Sequence, residues 1–405
     1  MGAESPTFTL PTRPADRISA GMLALVLYSL GHFFIDLYSS AVGAFQPVLV
    51  DRLHFSLTQA GILGGVMVFS GSFVQPAYGY LSDRFHSRMF SALAPAVAGI
   101  FIASLGLARD FRTAAALIFL GGIGIASFHP QASARATLGM QTNRGRWMAV
   151  FISAGSLGLA VGPIFFTGIM QAGGMRKSWL GAIPGIVVTI LLLVYMRGPE
   201  HYSVREHAKF DLRALHGVWK PLAVLCALVV FRSAVQMVFG QFLPLYLHRE
   251  RAFNLAEASA ALSMFQIAGA LGGFLGGHCA DRFGGRRVII WSMAGGAPCL
   301  ALFLYGHGAW SMFGLLMSGA VMLFTIPVNV SMAQDLAPSQ AGTVSALMMG
   351  FAWGLAGLMF IPAIGMTSDH LSIHTALSGL IVLPILGFAL AFKLPRDHAV
   401  LHAAA

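Results

Sequence analysis

Gly79-Tyr-Leu-Ser-Asp83-Arg84-Phe85-His-Ser-Arg88 returns 198 residues later as Gly277-His-Cys-Ala-Asp281-Arg282-Phe283-Gly-Gly-Arg286. Each copy holds a glycine, an Asp-Arg-Phe triplet and a final arginine at the same spacing, and each follows a long apolar run. Pro47 and Pro244 repeat at nearly the same offset, near the ends of the runs before those. A chain of 405 residues that repeats at about half its length reads as a duplication into two parallel halves.

Composition decides what the halves are made of. Hydrophobic residues are 57% of the chain, charged residues 10%, and the mean hydropathy is +0.75. Soluble domains carry about 25% charged residues and about 45–50% apolar ones. This excludes a cytosolic enzyme, a secreted disulfide scaffold and a disordered chain. The apolar runs are continuous rather than alternating, which excludes a membrane β-barrel. The reading is an all-α membrane protein with twelve transmembrane helices in two six-helix, pseudo-symmetric halves. The spans are expected near 18–47, 57–80, 89–108, 113–136, 147–170, 178–196, 218–247, 256–279, 288–306, 309–334, 343–366 and 371–393. They imply a cytoplasmic N-terminal tail (1–17), bundles over 18–196 and 218–393, a charged cytoplasmic linker (197–217) and a cytoplasmic C-terminal tail (394–405).

The formal net charge of +10 reads as membrane topology, with no nucleic acid implied. With both termini cytoplasmic, 17 of the 25 Lys and Arg fall in cytoplasmic segments and 7 in outer loops, leaving Arg232 inside a span. Cys226, Cys279 and Cys299 lack metal-type spacing and read as core residues. No metal-ligand cluster and no cofactor is expected, and the chain is expected to act as a monomer.

Few polar groups lie at membrane depth, where each is costly and points to function or to a partner. Of the 15 acidic residues, Asp36 alone falls deep in a span. It can load and release protons, or form a permanent ion pair that fixes packing. His32, four residues earlier, shares its helix face and can relay a proton or simply orient Asp36. His129 precedes Pro130, whose missing N–H can kink the span and turn the imidazole toward a cavity. Arg232 lies in span 7, the repeat partner of span 1. It can bind an anionic substrate, pair with Asp36 or snorkel to an interface. Gln236, Asn329, Gln131 and Tyr38 are further candidate substrate contacts, although interhelical hydrogen bonding is the commoner use of such groups.

The repeated G-x-x-x-D-R-F-x-x-R element resembles the signature loop of the major facilitator superfamily. Gly155-Ser-Leu-Gly158-Leu-Ala-Val-Gly162-Pro163 resembles the glycine-proline motif of its antiporters. His32-Phe-Phe-Ile-Asp36, the stretch from Gln75-Pro76 to Asp83-Arg84, and Phe128-His129-Pro130-Gln131-Ala-Ser133 look like the fosmidomycin-resistance branch. Gln131 departs from that pattern, in which an acidic residue often follows the His-Pro pair. The resemblance implies the major facilitator fold in a bacterial inner membrane. It also implies proton-driven efflux of a small drug-like anionic compound, an antibiotic-resistance activity, by alternating access. Asp36 and His32 would carry the proton. Asp83, Arg84 and Arg88, with Asp281, Arg282 and Arg286, would form a charge latch at the cytoplasmic gate. Gly158, Gly162, Pro163 and Pro130 would allow helices to approach and bend.

Proton symport for uptake of a small organic anion would use the same charged residues. An intramembrane enzyme would need a polar catalytic constellation, and a sensor a sizeable soluble domain. Neither is found, so the chain is not read as an enzyme. The expected partners are a small-molecule substrate, protons and the lipid bilayer.

Overall fold

In a computed structural model the chain is all helix, described over residues 14–85, 87–137, 144–196 and 216–395. Residues 1–13, 86, 138–143, 197–215 and 396–405 lie outside the described residues. Among the described residues, twelve helices are long and apolar enough to cross a membrane. The first six are α1 (Gly21–Leu53), α2 (Leu57–Leu81), α3 (Met89–Leu107), α4 (Phe111–Ser133), α5 (Arg146–Gly173) and α6 (Met175–Tyr195). The second six are α7 (Trp219–Glu250), α8 (Leu255–Phe283), α9 (Gly285–Tyr305), α10 (Gly308–Leu336), α11 (Pro338–His370) and α12 (Ile373–Ala391). The spans differ from the expected ones mainly at their ends. Pro47 does not stop α1, because Leu49 and Val50 beyond it are buried and carry the helix on to Leu53.

The duplication extends to details of backbone. Ser56 opens α2 with a capping box to Gln59, and Asn254 opens α8 with one to Glu257, again 198 residues apart. The two non-glycine residues with positive φ among those described, His54 and Ala252, keep the same separation in the turns before these caps. A third capping box starts α4, where hydrogen bonds from the Thr113 backbone and side chain hold the Asp110 carboxyl below the usual carboxylate range.

Within the first half, α1 lies along α5, with α3, α4 and α6 around them. The approach of α1 to α5 depends on small residues. A methyl group on Gly158 would collide with the Phe33 carbonyl, and one on Gly162 with the Leu37 carbonyl and Ser40. Pro163 sits inside α5 without interrupting it.

Between the halves, α1 meets α7, α2 meets α11 and α5 meets α8. These contacts gather toward the end of the bundle that carries Asp51, Arg249 and Asp369, which is closed. There Gly43 abuts the Gly240 carbonyl, and Gly61, Gly64 and Gly65 pack on Ile361, Pro362 and Gly365. Thr167 and Ser259 share a 2.6 Å hydrogen bond. Toward the opposite end, the helical segment Gln75–Phe85, which continues α2 beyond Leu81, and Ile326–Leu336 of α10 pack against their own halves. Both α2 and α11 contain a π-helical turn, Phe69–Phe73 and Leu347–Ala352, where their close contact ends.

Candidate functional site

Three ionisable side chains meet beside the α1–α5 contact. His32 Nε2 lies 3.3 Å from Asp36 Oδ2, and His129 Nε2 of α4 lies 3.6 Å from Asp36 Oδ1. His32 is 7% exposed, so the pair is largely shielded from water. The other ring nitrogen of His32, Nδ1, is 2.8 Å from the Phe151 carbonyl of α5, and the two rings stack with centroids 4.3 Å apart. A carbonyl oxygen only accepts, so Nδ1 carries the hydrogen. A neutral His32 then turns the lone pair of Nε2 toward the carboxylate. Two acceptors so placed are brought together favourably by a proton or a small cation between them.

Gly155 makes room for this arrangement. A Cβ there would stand 2.5 Å from both Asp36 Oδ2 and His32 Nε2. Phe151 and Gly155 are one turn apart on the α5 face that meets His32. Sequence reading placed Gly155 in a packing motif and passed over Phe151, whose part is played by a backbone carbonyl. One signal was available: Phe151 lies four residues before Gly155, on the same helix face. The donor atoms of His32, Asp36 and His129 all lie within 4.8 Å of one another, close enough to share one proton or one small cation. No metal cluster was expected, because the third donor comes from a different helix.

Arg232 occupies a second place, in the other half. It is 5% exposed, its Nη1 donates to Gln236 Oε1 at 3.0 Å, and its Nε has no hydrogen-bond partner. Arg232 and Asp36 form no ion pair among the described residues, since Asp36 turns to the two histidines instead. Arg232 opens on a narrow cleft of about 40 Å³ that is also lined by Asn329 and Trp353. Asn329 is fully buried, and both of its amide atoms lack partners, as does Trp353 Nε1. Trp353 was not among the expected contacts.

Two other expected contacts turn elsewhere. Tyr38 donates to the Gly181 carbonyl at 2.8 Å and accepts from the Gly185 N–H at 2.9 Å, tying α1 to α6. Gln131 accepts from the Ser91 backbone and hydroxyl and donates to the Ser87 carbonyl at 2.7 Å, tying α4 to the start of α3. Pro130 lies inside a continuous helix beside Gly79.

The repeated loops lie at the open end. Arg84, Asp281 and Arg282 are exposed there, and Asp83 lies at the end of α2, its side chain outside the described set. Arg88 donates to the Leu193 and Met196 carbonyls at the end of α6. Arg286 donates to the Phe392 carbonyl at the end of α12. Both arginines thus cap the last helix of their own half, as cations at helix C-termini do. The polar ties across the halves lie at the closed end. Asp51 pairs with Arg249 at 2.7 Å and with His248 at 3.5 Å. The Asp369 carboxylate accepts the Leu57 and Thr58 N–H groups at 2.8 and 2.7 Å. Sequence reading missed these residues, although Asp51 and Arg249 are 198 apart and so occupy equivalent places in the repeat.

Comparison with known proteins agrees with this architecture. The chain is 28% identical over 383 residues to an uncharacterized MFS-type transporter of Bacillus subtilis, covering 92% of this chain and 93% of that protein. It is 24% identical over 393 residues to the fosmidomycin resistance protein of Escherichia coli, covering 94% and 95%. Among solved structures, a bacterial homolog of the human lysosomal transporter Spinster, in an inward-facing and occupied conformation, superposes with a TM-score of 0.80. It is 15% identical, and the match covers 95% of this chain and 98% of that one. A nucleoside transporter superposes with a TM-score of 0.74 at 14% identity, covering 94% and 99%. The fold is that of a multi-pass, secondary-active small-molecule transporter and not that of an enzyme. The family description Major Facilitator Superfamily matches residues 28–361, more than half of the sequence, and the chain belongs to that superfamily.

Proposed function

We propose that this chain is a proton-coupled exporter of a small, drug-like anionic compound of the fosmidomycin type. It acts as a monomer in a bacterial inner membrane. The observation that carries the reading is the hydrogen bond from His32 to the Phe151 carbonyl, which turns Nε2 toward Asp36 and suits that contact to take up one proton. His129 gives that proton a second neighbour. Arg232 supplies an unpaired cation for the substrate. The name of the Escherichia coli relative, a fosmidomycin resistance protein, supports fosmidomycin as the first compound to try.

The Lys/Arg bias sets the closed end outside, with both termini and the open end in the cytoplasm. Substrate enters from the cytoplasm and the triad gives up its proton there. The halves then rock, the substrate leaves, and the triad reloads from outside. The signature loops, with Asp83, Arg84, Asp281 and Arg282, come together when the cytoplasmic end closes. The ties at Asp51 and Asp369 break in the same movement.

The test is pH-gradient-driven flux in proteoliposomes with fosmidomycin and simple phosphonates. Wild type should move substrate against its gradient as protons move the other way, and Asp36→Asn should lose the coupling. Co-directional movement of substrate and protons would instead establish proton symport of an anion. Full pH-driven transport by Asp36→Asn would remove the proton role.

A further inference from the structure

The triad of His32, Asp36 and His129 has the spacing of a coordination sphere. His32 Nε2 and Asp36 Oδ2 are 3.3 Å apart, and His129 Nε2 and Asp36 Oδ1 are 3.6 Å apart. A tetrahedral zinc ion with bonds of about 2.0–2.2 Å holds its ligand atoms about 3.3–3.6 Å from one another. Neighbouring ligands of an octahedral or square-planar ion at similar bond lengths stand closer, at about 2.8–3.0 Å. The donor set is two imidazoles and one carboxylate. Imidazoles suit zinc and its neighbours, whereas magnesium and calcium take oxygens.

Each donor is also aimed. His32 and Asp36 are four residues apart on one face of α1, a separation at which two helical side chains can hold one ion. His32 Nδ1 donates to the Phe151 carbonyl at 2.8 Å, which fixes the tautomer and frees the Nε2 lone pair, as outer-shell carbonyls do for metal-binding histidines. His129 comes from α4 with its ring at 80° to that of His32, so the two rings approach the carboxylate from different directions. The Asp36 and His129 side chains are 15% and 25% exposed, which gives an ion a way in and leaves the fourth position to water. Gly155 keeps the gap free of a side chain, since a Cβ there would stand 2.5 Å from both Asp36 Oδ2 and His32 Nε2.

We infer that His32, Asp36 and His129 form a binding site for one divalent transition-metal ion of the zinc class, taken up in place of the proton. An ion bound there occupies the acid and both bases at once and so arrests the transport cycle. The arrest rests on the reading of the triad as the proton carrier, and the binding does not.

Metal titrations of the full chain test it. Purified protein without a histidine tag, in lipid nanodiscs, is titrated with cobalt(II) and followed in the visible spectrum, then with zinc by calorimetry. Wild type should show the intense bands of four-coordinate cobalt and lose them when zinc is added. His129→Ala and Asp36→Asn should each weaken this binding by about a hundredfold or more, beyond what loss of an outer-shell partner costs. Gly155→Ala keeps all three ligands and should weaken it by about tenfold through crowding, with thermal melting to show that the variant is folded. His248→Ala, beside Asp51 at the closed end, should bind as wild type does. Failure of wild type to bind, binding that survives both ligand variants, or binding that is lost in His248→Ala overturns the inference and leaves the proton reading standing. In proteoliposomes zinc should slow pH-driven flux over the concentration range in which it binds, and a chelator should restore it. Zinc held by the triad without effect on flux would keep the metal site and overturn the proton reading.

Discussion

Gly155 carries a hydrogen where any other residue would carry a carbon, and the proposed proton site lies in the space that this leaves. A methyl group there would sit 2.5 Å from the Asp36 oxygen and from the His32 nitrogen that faces it. Neither partner can retreat freely, because His32 is stacked on Phe151 and hydrogen-bonded to its carbonyl. Overpacking of this kind costs about 1–3 kcal/mol, and here it falls on the separation of an acid and a base. Gly155→Ala should therefore lower pH-driven flux by about tenfold or more while the protein still inserts and melts within a few degrees of wild type. Flux and thermal melting of the same preparation check this. At this scale the sequence was informative about the acid and the bases, because ionisable groups at membrane depth are rare enough to stand out. It was silent on Phe151, whose contribution is a backbone atom. It also could not separate Asn329, which opens on the cleft, from Tyr38 and Gln131, which are consumed by hydrogen bonds between helices. Polarity inside a span shows that a partner is needed, but not which face of the helix carries it.

Helices α2 and α11 show how a few polar atoms can bias a large movement. From Leu57 to Val68 the first packs glycine-close on the second, and at the two π-helical turns that contact ends. A π-turn loosens the backbone ladder, and such turns recur at functional sites, which suits them to be where the spans bend apart. At the closed end the start of α2 is held by Asp369 of α11 through two backbone N–H groups, where the helix dipole favours a negative charge. Such a cap stabilises by about 1–2 kcal/mol. The neighbouring Asp51–Arg249 pair is 45% and 40% exposed, and an ion pair so exposed contributes about 0–1 kcal/mol. Asp369→Ala should therefore shift the balance between states toward opening at this end by about 5–30-fold, and Arg249→Ala by less. Spin labels at Arg112 and Leu371, on a background without the three cysteines, should report a longer distance population in Asp369→Ala. An unchanged distribution would show that apolar packing alone holds that end shut. The sequence pointed to the opposite end, because the repeated Asp-Arg-Phe loops are conspicuous. It could not reveal that Arg88 and Arg286 spend their donors on helix C-termini of their own halves in this conformation. Asp369 gave no local signal, since its partners are backbone groups more than 300 residues away in sequence.

Across the whole molecule the duplication makes two similar halves and then lets them diverge in charge. The capping boxes and positive-φ turns keep the 198-residue offset, and so do Asp51 and Arg249, which meet as opposite charges. The ionisable groups at membrane depth diverge in the same sense, with Asp36 and two histidines in one half and Arg232 in the other. That division has an electrical consequence. If one monoanion leaves for each proton that enters, both movements carry positive charge inward, and each cycle transfers two charges. A membrane potential contributes about 2.3 kcal/mol per charge per 100 mV, hence about 4.6 kcal/mol per cycle, equivalent to a substrate gradient of more than about 1,000-fold. Symport of the same anion with one proton would transfer no net charge and would not respond to voltage. Proteoliposomes at equal pH on both sides, with the potential set by a potassium gradient and valinomycin, separate the two cases. Exchange of a monoanion for a proton should drive substrate toward the positive side with no pH gradient at all, and Asp36→Asn should lose this response together with proton movement. Substrate movement that depends on the pH gradient and ignores the potential would mean that proton and anion travel together, and that the same triad and the same arginine serve uptake.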